Sequence, residues 1–355
     1  MLNFSCDYLD GAHPKVLEAL AACNFAKTGC YGVGDVFSDA AREKIRTVCA
    51  APDAEIYFLA GGTQTNKVVL STLAAPWQSI IAVKSGHIAV HEAGAIEAGG
   101  HKVMEVAGRD GKLDPEAVEA AFQAWENDEN RDHMPQPGVV YVTQPTEYGT
   151  LYRLDELTAI AESCRRHGAK LYLDGARLFY GLAAVDNDVT LADIARLCDA
   201  FYIGGTKCGL LFGEALVFPK AGTVPHFFTL TKQYGALLAK GKVLGAQFDA
   251  FLTEDLGLEM ARHADREADR LRAALFEAGV EVLFGGRTNQ IFVKLTREEA
   301  ARWHREVLTG FWERPDEGHV IERIATSWAT DPAETDAFIA FLKAMHPQRT
   351  ASGGF

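Results

Sequence analysis

Residues 169–174, AKLYLD, and residues 200–208, AFYIGGTKC, each join a short apolar and aromatic run to a group with chemistry to offer, Asp174 in the first and Lys207 in the second. Runs of this length and composition, rich in β-branched and aromatic residues, are strands. The same signature recurs in EIYFLA (55–60), SIIAVK (79–84), GVVYVTQ (138–144) and EALVFP (214–219). Between them, KVVLSTLAA (67–75), LDELTAIAESCRRHG (154–168) and TLADIARLCD (190–199) repeat their apolar residues with helical period. The second of these has Asp155 early, Arg165, Arg166 and His167 late, and Gly168 as its stop. Strand and helix alternating in this way predict an α/β fold, a mostly parallel sheet covered by helices on both faces. Ligands of such sheets bind beyond the carboxyl ends of the strands, where Asp174 and Lys207 stand.

Outward from this centre the pattern changes. WENDENRDHMPQPG (125–138) is charged and carries Pro and Gly, which predicts an exposed excursion within the large domain. After EALVFP a long helical region runs from about Phe227 to Ala278, with a break expected near Leu256 and Gly257. EVLF, QIFVKL and IERIATSW then alternate with helices, the pattern of a smaller α+β domain. The expected division is 1–250 for the N-terminal segment and large domain and 251–355 for the small C-terminal domain, ending in a frayed ASGGF tail.

Of the 355 residues, 48% are hydrophobic and 23% charged, the balance of a folded globular chain and not of a disordered one. With 35 Lys and Arg against 48 Asp and Glu the net charge is -13, and no local basic patch offsets it, so neither nucleic acid nor an anionic membrane is an expected partner. Seven scattered cysteines without a CxxC pair or zinc spacing read as free thiols of a cytoplasmic enzyme. The opening MLNFSCDYLDG lacks a basic stretch followed by an apolar one, and no apolar run reaches the roughly 20 residues of a membrane span.

A carboxylate at a buried strand end needs a cation or hydrogen-bond donors, and a lysine leaving a strand in GGTK needs a partner. Pyridoxal phosphate satisfies both. Its aldehyde takes the lysine amine as a Schiff base, and an acid holds its ring nitrogen protonated, which makes the ring an electron sink. The alternative is a structural pair of Asp174 with Arg177 and a surface lysine. The phosphate needs backbone donors, and FLAGGTQTNKVVL (58–70) offers Gly61, Gly62 and Thr63 at a strand-to-helix turn, with Thr206 beside the lysine as a further hydroxyl. An ordinary turn capped by Thr63 or Asn66 is the plainer reading of that segment. His87 and His91 have a spacing that zinc could use on one helical face, but a third ligand and the HExxH order are missing, so no metal is expected. His87, at a strand-to-helix junction, suits an aromatic plate over the cofactor ring and an acid–base group.

The ordered set GGTQTN (61–66), HIAVHEAGAIEAGGHKV (87–103), TQPTEYGTLYRLDEL (143–157), LYLDGARL (171–178), GGTKCGLLFGEALVF (204–218) and IERIATSW (321–328) resembles the threonine aldolase family of fold-type I pyridoxal-phosphate enzymes, in its low-specificity and β-eliminating lyase branch, over nearly the whole chain. The resemblance implies that Lys207 carries the cofactor, Asp174 pairs with its ring nitrogen and His87 stacks on its face. It also implies that Gly62, Thr63 and Thr206 serve the phosphate, with Arg177 and Arg323 near the substrate carboxylate. It further implies a homodimer or homotetramer with shared active sites, in which Tyr31, Lys232 and Lys240 occupy the contributing segments and Tyr31 reaches the substrate. The sequence departs from the pattern in two places: Cys6, beside Ser5, stands where many relatives have a serine near the substrate, and Glu147 stands where other branches have a histidine near the β-hydroxyl. The implied reaction is retro-aldol cleavage of L-threonine, L-allo-threonine or a related β-hydroxy-α-amino acid to glycine and an aldehyde, with Glu147 or His87 as base. β-Elimination or transamination of another small amino acid would use the same residues, with Lys207 as base at Cα. A dehydrogenase-like nucleotide binder is disfavoured because GxGxxG is missing after the first strand, and a catalytically silent relative because Lys207 is present.

Overall fold

The computed structural model describes residues 1–345, so the ASGGF tail lies outside the described residues. Seven strands form the main sheet: β1 (Glu55–Leu59), β2 (Gln78–Val83), β3 (Val103–Val106), β4 (Gln136–Thr143), β5 (Lys170–Asp174), β6 (Ala200–Gly204) and β7 (Glu214–Phe218), in the spatial order β1-β7-β6-β5-β4-β2-β3. Every ladder is parallel except the two made by β7, which runs against β1 and β6. The mostly parallel sheet expected from the sequence is present.

Burial on both faces explains why these strands read as nearly continuous apolar runs. Along β4, Val140 and Val142 join one core with Leu171, Leu173, Phe201 and Ile203, while Val139 and Tyr141 join the opposite core with Tyr172, Tyr202 and the helix residues Val68 and Val69. Three tyrosines on adjacent strands thus share a face. Asp174 follows Tyr172 by two residues in β5 and points the same way.

Helix α1 (Gly62–Leu73) follows β1, and α2 (Leu154–Arg166) ends as expected at Gly168, whose φ of 65° is left-handed. The exposed excursion is shorter than the sequence suggests. Trp125 and Glu126 still belong to the helix Pro115–Glu126, and β4 already begins at Gln136. The helical region after β7 is broken twice. One break lies between Phe227–Gln233 and Lys242–Phe251, where Gly235 has φ 68°, and the other at Glu254 and Asp255, both left-handed, just before Leu256. Among the described residues no helix is long and apolar enough to cross a membrane.

The last long helix, α3 (Leu256–Ala278), joins two cores. Leu256, Met260, Ala261 and Ala264 pack with the large sheet, while Ala268, Leu271, Ala274 and Leu275 pack with Ile291, Val293 and Leu295 of a four-stranded antiparallel sheet. That sheet has β8 (Glu281–Leu283), β9 (Gln290–Thr296), β11 (His319–Ala325) and β10 (Gly310–Glu313) in order. The chain's first residues return to it. Leu2 and Asn3 pair in parallel with Val307 and Leu308, and Phe4 packs 5.3 Å from Phe338 between ring centroids, although the sequence reading groups them with the large domain. This threading brings Ser5 to Arg323 of the small sheet and Asp7 to Arg177 beside the large one.

Phe4 is 2% exposed, so Phe4→Ala should cost about 3 kcal/mol by the cost of emptying a buried aromatic site. Chemical denaturation checks this, and an unchanged midpoint would show that the N-terminal strand is not held by this packing.

Candidate active site

Five strand ends converge on one cavity of about 330 Å³. β1 delivers Gly61, Gly62 and Thr63, β2 leads to His87 and His91, β4 to Glu147, β5 ends in Asp174, and β6 leads to Thr206 and Lys207. Tyr8, Asn66, Tyr202 and Glu214 complete much of the wall.

Asp174 is 3% exposed and accepts four hydrogen bonds. Oδ2 accepts from Tyr141 Oη at 2.7 Å and Asn66 Nδ2 at 2.8 Å, and Oδ1 accepts from Tyr202 Oη and from the Ala176 N–H at 3.0 Å. Burial opposes its ionisation, but the nearby His87 and the donors Tyr202, Asn66 and Tyr141 outweigh it, and its carboxyl sits below the ordinary carboxylate value. The pair of Asp174 with Arg177 allowed by the sequence does not form. Arg177 instead makes a buried fork with Asp7, Nε to Oδ2 at 2.6 Å and Nη2 to Oδ1 at 2.9 Å, and Asn289 also donates to Asp7.

The Lys207 amine has no hydrogen bond or ion pair among the described residues, and its Nζ stands 5.8 Å from the centre of the Tyr8 ring. Its backbone is pinned by Tyr180 Oη, which donates to the Lys207 carbonyl at 2.6 Å. Burial, then the charge of Arg177, hold its ammonium below the ordinary lysine value, so the amine is more readily neutral and nucleophilic. His87 Nδ1 lies 2.7 Å from Glu92 Oε1, and Asn66 Nδ2 links Glu92 to Asp174. Burial pushes His87 down, but that hydrogen bond and the charges of Glu147 and Asp174 push it up further, and the net shift is upward. His91, with its ring centroid 5.6 Å from that of His87, is shifted downward, chiefly by burial. No group of three His, Cys, Asp or Glu suited to a metal occurs among the described residues.

The start of α1 has Gly61 at its cap and no side-chain capping bond, which leaves first-turn N–H groups facing the cavity wall they line. A Cβ at Gly62 would meet Tyr202 Oη at 3.2 Å, so the close approach of helix and strand favours glycine there. Thr206 is arranged differently from a simple phosphate donor: its hydroxyl lies 2.7 Å from Glu214 Oε1 and accepts from the Gly213 N–H at 3.0 Å.

Arg323 approaches from β11. Its Nη2 donates to the Ser5 carbonyl at 3.0 Å, its guanidinium lies over Trp312, and its buried Nε has no partner. Cys6 sits in the chain between Ser5, which takes Arg323, and Asp7, which takes Arg177. Tyr31 is elsewhere in the chain, lining a separate hollow with Arg42 and Tyr57 and lying under Lys232 at 4.3 Å. Asp7, Asn66, Glu92, Glu214 and the tyrosines were not expected from the sequence. A tyrosine in each of VVYV, KLYLD and AFYIG was the available sign, since a phenol in a doubly buried strand needs an acceptor.

The family model of the beta-eliminating lyases matches residues 14–298. The chain belongs to the beta-eliminating lyase family. Within it, the low specificity L-threonine aldolase of Pseudomonas sp. (strain NCIMB 10558) is 30% identical over 97% of both chains, and that of Pseudomonas aeruginosa is 31% identical over 93% of both. A solved structure of Leishmania major threonine aldolase is 40% identical, covers 97% of this chain and 99% of its own, and superposes with a TM-score of 0.93. The beta-eliminating lyase fold is therefore the fold-type I architecture expected from the resemblance.

Two outcomes follow from this geometry. Asp7→Asn should cost about 3 kcal/mol or more in denaturation, because it strips a buried guanidinium of its counter-charge; a neutral effect would mean Arg177 is otherwise satisfied. His87 should titrate above about 6.5 in histidine NMR, the stability from its proton being complete below that pH and lost as pH rises through the raised value. In Glu92→Gln its value should fall, and an unchanged titration would contradict the role given to Glu92.

Proposed function

We propose that the protein is a pyridoxal 5'-phosphate-dependent carbon–carbon lyase that cleaves L-threonine, L-allo-threonine or a related β-hydroxy-α-amino acid to glycine and an aldehyde. The observation that carries this is an ionised, four-fold hydrogen-bonded Asp174 and an unpaired Lys207 on neighbouring strand ends of one cavity. The donor set fits the cofactor: a free helix start at Gly61–Thr63 for phosphate, a carboxylate for the ring nitrogen, an amine for the aldehyde and the His87 ring for the face. When bound, pyridoxal phosphate supplies an electron sink for the pair of electrons left on Cα.

The chain's own residues do the rest. Asp174 stays ionised and holds a proton on the ring nitrogen, and the hydroxyls of Tyr141 and Tyr202 fix its orientation. Arg323 offers its unpaired Nε to the substrate carboxylate. Arg177, already engaged by Asp7, adds positive charge and holds the Cys6 segment against that site. Glu147 takes the β-hydroxyl proton as the Cα–Cβ bond breaks, and Cα regains a proton to give glycine. His91, kept neutral by burial in the same wall, is the competing acceptor. Lys207 takes back the cofactor as glycine leaves.

Further parts of the reading are supported more locally. Tyr31, Lys232 and Lys240 serve a neighbouring subunit's site in a homodimer or homotetramer, since Tyr31 is apart from the cavity of its own chain. The seven cysteines are unpaired, which suits a cytoplasmic protein. We place the lobe boundary near residue 250, ahead of α3, with Leu2–Phe4 moving with the small lobe.

Supplied with pyridoxal phosphate, the protein should release acetaldehyde and glycine in equal amounts from L-threonine or L-allo-threonine. 2-Oxobutyrate without acetaldehyde would move the assignment to β-elimination, and oxo acid with amino transfer to transamination. Glu147→Gln should lower kcat by about 100-fold, the scale of a general base; a full retro-aldol rate in that variant would transfer the role to His91.

A further inference from the structure

We propose that Glu214 sets the direction of the Thr206 hydroxyl and thereby decides whether Thr206 can bind the cofactor's phosphate. The inference rests on the cofactor reading above and adds a positioning residue to it.

A hydroxyl has one hydrogen to give and two lone pairs with which to accept. At Thr206 one lone pair takes the Gly213 N–H at 3.0 Å, and Glu214 Oε1 stands 2.7 Å away. Between Thr206 and an ionised Glu214 only Thr206 has a hydrogen, so it points at the carboxylate and none is left for an anion in the cavity. With Glu214 protonated the arrangement inverts. Glu214 donates, Thr206 accepts twice, and its own hydrogen is free to turn toward the cavity that both residues line with Gly61–Thr63. Glu214 Oε2 accepts from the Gly205 N–H at 3.2 Å in either state, so the side chain keeps its place while the hydrogens exchange.

The surroundings favour the protonated form. Glu214 opens β7 and is 4% exposed. The titratable groups facing it are Lys207 and Cys208 from the turn after β6, Asp174 and Tyr172 from β5, and Tyr202 from β6. Burial pushes its carboxyl up to about 8, with Thr206, Lys207 and Gly205 pulling down and Asp174 adding to the rise. A phosphate dianion brought into the same cavity would repel the carboxylate and raise it further. Ionised, Glu214 both captures the Thr206 hydrogen and sets a negative charge against the phosphate. Cofactor affinity is therefore tied to the proton on Glu214.

The test is the dissociation constant of pyridoxal phosphate from the full chain between about pH 7 and about pH 9.5, in wild type, Glu214→Gln and Thr206→Val, with phosphorus NMR of the bound phosphate. Glutamine keeps an acceptor for Gly205 and a donor for Thr206 but cannot ionise. The ratio of wild-type to Glu214→Gln dissociation constants should grow by up to about tenfold per pH unit above about 8. The phosphorus resonance should titrate over that range in wild type and stay flat in Glu214→Gln. Thr206→Val should bind more weakly than wild type near neutrality, with the gap closing above about 8. Identical pH dependence in wild type and Glu214→Gln, or a Thr206→Val protein equal to wild type near neutrality, overturns the inference and leaves the cofactor reading standing. Wild type that binds no pyridoxal phosphate at any pH removes both.

Discussion

A carboxylate that must stay charged inside a protein needs donors on nearly every side, and at Asp174 those donors come from four different elements. Tyr141 reaches it from β4, Tyr202 from β6, Asn66 from α1 and the Ala176 N–H from the turn that follows β5. The parallel sheet makes this possible, because its strands end together and place Tyr141 and Tyr172 in register. Tyr172 contributes at one remove by donating to Asn66 Oδ1. Asn66 then ties Asp174 to Glu92, and Glu92 bonds His87, so the cavity-lining residues Asp174 and His87 belong to one hydrogen-bonded chain.

The second constraint is the group of charges that Asp7 forms with Arg177 and Arg323. Burial pushes the Asp7 carboxyl up, but the charge and hydrogen bonds of Arg177, together with the charges of Lys207 and Arg323, hold it far below the ordinary value. Two guanidiniums near one carboxylate leave a net positive charge. The N-terminal segment that supplies Asp7 is anchored by Phe4 in the small sheet's core, while Arg177 belongs to the large one. The packing of Phe4 thus bears on the buried Asp7–Arg177 ion pair.

The sheet was legible where both of its faces are buried, which turns its inner strands into unbroken apolar runs, while the edge strand β3, with exposed Glu105, was not read as a strand. Lys207, Asp174, His87, Gly62, Thr63 and Thr206 were legible for a related reason, each standing at or just after such a run, whereas Glu147 was legible only through the family resemblance; the cavity brings all seven together. The partners were not. Glu214 begins a strand that reads as apolar, and Asp7 meets Arg177 across 170 residues of chain, a separation that no local pattern encodes. Of the two breaks in the helical region, the one at Glu254 and Asp255 falls beside Leu256, where the sequence led us to expect it, while the one between Gln233 and Lys242 was not expected although Gly235 stands in it.

The account turns on Lys207 being the amine that meets the cofactor opposite Asp174. Incubating the full chain with pyridoxal phosphate, reducing it with borohydride and locating the modified residue by mass spectrometry tests this directly. The expected result is a single pyridoxyl group on Lys207. Modification of another lysine with Lys207 left bare, or no covalent group at all, would contradict it.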